Sequence, residues 1–145
     1  MSFEIIIMAI TVIILNVLDS ATTALCFKQY PDKELKGEGN PIMRWLMLKN
    51  KALAEIFKHG IILAIVICLV ISPDINALRF LIIMLGIVVL NNSYILVSRA
   101  ITKRKTTGPF KYLCRLLHVP DKFSYPLVFI IIVGAALIIN QFIWN

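Results

Sequence analysis

The chain has 145 residues, of which 59% are hydrophobic, and its mean hydropathy is +0.86. Soluble domains hold about 45–50% apolar residues, so this composition excludes an ordinary water-soluble enzyme. Net charge is +7 from 15 Lys and Arg against 8 Asp and Glu, but the basic residues lie between apolar runs, which the preference of positive loops for the cytoplasm explains without a nucleic-acid partner.

The first apolar run covers about residues 5–27. It has no basic leader ahead of it, Glu4 flanks it, and no small-residue cleavage site follows, so we read it as a retained membrane span rather than a secretion signal. The stretch NVLDSATT within it places Asn16, Asp19, Ser20 and Thr23 on one helical face, with Thr22 beside them. The first connection carries Lys28, Lys33, Lys36, Arg44, Lys49 and Lys51 against Asp32, Glu34 and Glu38. Asn40-Pro41 reads there as a helix cap followed by a first-turn proline, which opens a helix through PIMRWLMLKN.

A second span is expected over about 52–72, with Glu55, Lys58 and His59 near its start and Glu55 one helical turn from the other two. Gly60 and Ala64, four apart, should allow a neighbouring backbone to approach. Ser72-Pro73-Asp74 reads as cap, first-turn proline and first-turn acid of a third span over about 75–98, antiparallel to the second. This span carries Asn91, Asn92 and Ser93. The next connection holds Arg99, Lys103, Arg104, Lys105, Lys111, Arg115 and Lys122 against Asp121 alone. Within it, about 110–119 has the pattern of an amphipathic helix lying along the headgroups, with Phe110, Leu113 and Leu117 turned to the membrane. A fourth span is expected over about 124–144, where Gly134, Ala135 and Ala136 should permit close packing.

The expected fold is therefore all-α: a single multi-pass domain over 1–145 with four transmembrane helices and one interfacial helix. Basic connections resist translocation, so both termini should lie outside the cell membrane and both basic connections inside. Those connections should attract anionic lipid headgroups. Cys26, Cys68 and Cys114 form an odd set without metal-ligand spacing and read as buried thiols.

Three spans carry polar groups at one depth: Asp19 on the first, Lys58 and His59 on the second, Asn91 and Asn92 on the third. An ionised residue in hydrocarbon costs at least about 2.5–3.5 kcal/mol on insertion scales. Asp19 paired with Lys58, with an Asn amide filling its remaining lone pairs, would offset part of that. No nucleophile elbow, HExxH run, phosphate-binding glycine loop or paired-cysteine motif occurs. No reaction or cofactor is indicated.

LNVLDSATT, then GEGNPIMRWLM, then Lys58 resembles an uncharacterised family of small prokaryotic four-helix membrane proteins that carries a domain-of-unknown-function label. The resemblance covers about residues 10–95 and leaves the amphipathic segment outside. It implies that Glu38, Asn40 and Pro41 belong with Asp19, at the mouth of a polar pocket that opens to the cytoplasm. On that implication Asp19 and Glu38 become the candidates for a metal ligand. The functional expectation is a small membrane protein that binds or conducts a cation or proton, assembled as a homo-oligomer or with a partner membrane subunit. The alternative is a structural or regulatory membrane subunit. A lipid-modifying intramembrane enzyme and a membrane-perturbing effector have fewer residues behind them.

Overall fold

The computed structural model describes residues 2–29, 40–103 and 107–144. Among these the protein is all-helical: α1 (Phe3–Gln29), α2 (Pro41–Lys49), α3 (Lys51–Ile71), α4 (Ile75–Thr102), α5 (Pro109–Leu116) and α6 (Asp121–Trp144). Four of them, α1, α3, α4 and α6, are long and apolar enough to cross a membrane. The protein is thus a small multi-pass membrane protein.

Local chemistry fixes the helix ends. Asn40 caps α2 by accepting from the Ile42 and Met43 N–H groups at 3.0 and 3.2 Å, with Pro41 in the first turn. Asn50 ends α2 and also begins α3, where its Oδ1 accepts from Leu53 N–H at 3.1 Å. The tight turn before α4 corrects one expectation. Ser72 terminates α3, and Asp74 is the residue that caps α4, its Oδ1 accepting from Ala77 N–H at 2.9 Å. Asp74 has extended backbone angles (φ −124, ψ 95) while Ile75 is already helical, so the carboxylate, and not the Ser72 hydroxyl, faces the free first-turn N–H groups.

The long helices pack as a row in the order α3, α1, α4, α6. Glu4 of α1 meets Arg79 of α4 at one end and Cys26 of α1 meets Arg99 of α4 at the other, so these two helices run parallel along their length. α3 runs antiparallel on the far side of α1. It leads directly into the turn before α4, yet α3 and α4 share only a small contact, because α1 lies between them. Among the described residues α3 and α6 do not touch.

The α1–α4 seam has heptad spacing. Buried residues on α1 are Ile5, Ala9, Val12, Asn16 and Asp19, alternating four and three apart. On α4 the facing residues Leu78 and Leu85 are buried, and Asn92 and Arg99 continue the same seven-residue step. Such spacing keeps one stripe of each helix against the other. Ile5, Ala9, Val12, Val66, Leu78 and Leu85 form the apolar core.

The expected small-residue contacts are met only in part. A methyl added at Gly60 or Gly134 would meet nothing within 4 Å, and Ala64 is exposed. Ala136 on α6, one of the expected residues, is fully buried, as is Ala54 on α3, which the sequence did not single out. The interfacial helix is shorter than expected, ending at Leu116 and not at 119. His118 there adopts φ 55, which turns the chain back toward α6 and stops further helical growth. Phe110 is half-buried beside the fully buried Cys114, toward the protein, while Leu113 and Leu117 are exposed.

Candidate functional site

The polar residues of three helices meet where the α1–α4 seam changes character. Val12 and Leu85 close the apolar half. The next seam positions are Asn16 and Asp19 on α1 and Asn92 on α4. Asp19 lies 16 residues from Phe3, about 24 Å along the axis, and Asn92 lies 17 residues from Ile75, about 26 Å. Both therefore lie at a similar level along the parallel helices, toward the same end of the row.

Asp19 is the centre. Its Oδ2 stands 2.6 Å from Lys58 Nζ on α3. Its Oδ1 accepts from Asn92 Nδ2 at 2.9 Å on α4 and from Thr23 Oγ1 at 3.4 Å on α1. Lys58 Nζ donates a second hydrogen bond to Ser20 Oγ at 2.9 Å. Asn92 Nδ2 also lies 3.1 Å from Thr23 Oγ1 and 3.4 Å from Thr22 Oγ1. Thr22 Oγ1 gives its own proton to the Leu18 carbonyl at 2.9 Å, so it faces Asn92 as an acceptor. One carboxylate thus binds α3 through an ion pair and α4 through an amide.

A second branch extends on the α3 side. Asn16 Nδ2 lies 2.7 Å from His59 Nδ1. With the amide assigned in this orientation its nitrogen donates and Nδ1 accepts, which corresponds to the Nε2–H tautomer of the ring. That nitrogen faces Ser20 Oγ at 3.4 Å and Glu55 Oε2 at 3.5 Å. Glu55 Oε2 and Asn16 Oδ1 are both buried and accept no hydrogen bond among the described residues.

On the α4 side, Asn91 Nδ2 donates to Asn92 Oδ1 at 3.4 Å. Gly108, the buried residue before α5, rests against Asn91 and Ile95. A methyl at Gly108 would overlap Asn91 Oδ1, so a larger residue there requires the Asn91 side chain to move.

Of the residues singled out in the sequence, the structure gathers Asn16, Asp19, Ser20, Thr22, Thr23, Lys58, His59, Asn91 and Asn92 into this network. Glu38 lies outside the described residues. Asn40 and Pro41 are exposed at the start of α2, where Asn40 serves as its cap. Among the described residues no three His, Cys, Asp or Glu side chains converge to hold a metal ion, and both oxygens of Asp19 are engaged by the chain's own donors.

Two contributors went unrecognised in the sequence. Arg99 Nη1 donates to the Cys26 carbonyl at 2.9 Å, closing the end of the seam, and Cys26 Sγ lies 3.7 Å from the Asn92 carbonyl oxygen. The seven-residue step Leu78, Leu85, Asn92, Arg99 is the signal that points to this face.

A family model described as a domain of unknown function, DUF5658, matches residues 10–99. This range contains most of α1, all of α2 and α3 and most of α4, and with them every member of the polar network. No curated protein and no solved structure matches the chain.

Proposed function

The chain belongs to the DUF5658 family, a domain of unknown function, and from that premise we propose that this multi-pass membrane protein is a structural or regulatory membrane subunit whose Asp19–Lys58 network latches three spans together. The observation that carries this reading is the saturation of Asp19. One oxygen takes the Lys58 ammonium at 2.6 Å and the other takes the Asn92 amide at 2.9 Å. A carboxylate so engaged has its compensating cation built in, and the pair is neutral as a unit. The net stability of a buried pair is small against its desolvation cost, and in this reading the role of the pair is to fix the register of the three spans. A partner membrane subunit, or a second copy, would meet the flanks of the helix row at α3 or α6.

The second reading is proton or cation handling, favoured by the His59 branch. Two buried acceptors, Asn16 Oδ1 and Glu55 Oε2, belong to the residues on either side of His59 and have no donor among the described residues. Hydrogen bonds and the ion pair link His59, Ser20, Lys58 and Asp19, and Glu55 Oε2 stands 3.5 Å from His59 Nε2 at the end of that succession.

One experiment separates them. Asp19→Asn, Lys58→Met and the double variant are purified and reconstituted, then compared in melting and in proton or cation flux. The latch reading expects both single variants to melt earlier and the double variant to recover, with no flux from the wild type. Flux in the wild type that disappears in a stably folded Asp19→Asn variant would replace it with the second reading. On either reading we propose termini outside the cell membrane, a reading that the basic connections support.

A further inference from the structure

α5 takes no part in the polar network except through the seat that Gly108 makes on Asn91. We propose that α5 is a docking element for the anionic phospholipid headgroups of the leaflet beside the polar end of the helix row. This inference is independent of the latch.

Position is the first argument. Gly108 contacts α4 at Asn91 and Ile95, which are 16 and 20 residues beyond Ile75. At 1.5 Å per residue that level is about 24–30 Å from the start of α4, where a hydrocarbon layer of about 30 Å ends. α4 continues past it to Thr102, so α5 runs alongside the last turns of α4 at the bilayer boundary, not beyond it.

The faces of α5 are the second argument. Phe110 and Cys114, four apart, turn toward the protein, and Cys114 Sγ reaches the Ser124 carbonyl of α6 at 3.8 Å. Tyr112, Leu113, Leu116 and Leu117 are exposed, and their spacing places them on one stripe. Arg115 is exposed on the side opposite that stripe. A helix with one side held by protein, an uncovered apolar stripe and a cation opposite it has the geometry of a segment lying flat in the headgroup layer.

Charge names the occupant. Residues 99–123 hold seven Lys and Arg against Asp121 alone. A zwitterionic surface would accept the apolar stripe equally well, but only an anionic one rewards this excess. A soluble protein partner would have to cover the stripe at a depth where the flanking spans place lipid.

The test uses the full chain carrying Trp45→Phe and Trp144→Phe, with Leu116→Trp as the probe and Leu113→Trp as a second probe on the same stripe. Each is reconstituted in vesicles of phosphatidylcholine alone or mixed with phosphatidylglycerol, with helix content checked by circular dichroism. Emission is quenched from inside by brominated acyl chains and from water by acrylamide. Brominated lipid should quench both probes and acrylamide should not, with the contrast greater when phosphatidylglycerol is present. Adding Arg115→Gln should lower the ratio of docked to undocked helix about fivefold in the anionic vesicles. Quenching by acrylamide but not by brominated lipid in both vesicle types would overturn the docking. Equal docking in the two vesicle types, unchanged by Arg115→Gln, would overturn the anionic headgroup as the partner.

Discussion

Lys58 Nζ on α3 stands 2.6 Å from Asp19 Oδ2 on α1, and the two side chains keep only 20% and 13% of their surface exposed. With so little solvent to take over, each charge depends on the other. Removing one leaves the other uncompensated at the edge of hydrocarbon, whereas removing both leaves a smaller, uncharged gap. Lys58→Met alone, and Asp19→Asn alone, should each lower stability by about 2–4 kcal/mol, toward the lower part of what breaking a buried pair costs. The double variant should recover about 1–3 kcal/mol of the summed loss. Reversible unfolding in mixed micelles measures the cycle, and strictly additive losses would show that the pair is not coupled.

Asn92 supplies the only α4 donor to Asp19 among the described contacts. Asn92→Leu keeps the branched shape and removes the amide. Interhelical hydrogen bonds in membrane proteins average about 0.6 kcal/mol and reach about 1.7, and this one serves a carboxylate. A loss near the upper figure is expected, without change in helix content. The same unfolding assay reads it, and a neutral or stabilising effect would mean that Thr23 and Lys58 suffice for Asp19.

Gly108→Ala should force apart the start of α5 and Asn91, because the new methyl overlaps Asn91 Oδ1 and crowds Ile95. Overpacking of this kind costs about 1–3 kcal/mol. Asn91→Ala in the same chain removes the obstructing amide and should restore most of the loss. Thermal melting of the two single variants and the double variant decides the matter, and no recovery in the double variant would locate the strain elsewhere.

Glu4 and Arg79 join the same two helices at the other end, at 3.1 Å. Glu4 keeps half of its surface exposed, so water and salt screen the contact. Glu4→Gln should therefore cost less than about 1 kcal/mol, well below Asp19→Asn. Melting the two variants side by side compares them. An equal loss would contradict the view that burial gives the Asp19 pair its weight.

Orientation is read from charge and can be checked directly. Ser2→Cys should react with an impermeant maleimide on intact cells, while Lys105→Cys should react only after the membrane is opened. Labelling of the second position from outside would reverse the topology.

The sequence by itself determined the class of the protein. Four apolar runs of the length a bilayer requires leave little choice but helices, and Asn40 carries its cap in its own side chain and neighbours. It also placed Asp19, Lys58, His59, Asn91 and Asn92 at one depth, because depth along a helix is only a count of residues. What a count cannot give is azimuth and neighbour order. The apolar faces of α1, α3, α4 and α6 would suit several arrangements, since lipid covers unused apolar surface as readily as another helix does. Tertiary structure decided that α1 lies between α3 and α4, so that Asp19 holds Lys58 on one side and Asn92 on the other. It also decided that Gly60 and Gly134 stand at open surface while Gly108 sits against Asn91. These outcomes depend on how the α1–α4 seam interlocks over its whole length, and the interlocking of two stripes is a property of the pair that neither helix carries alone.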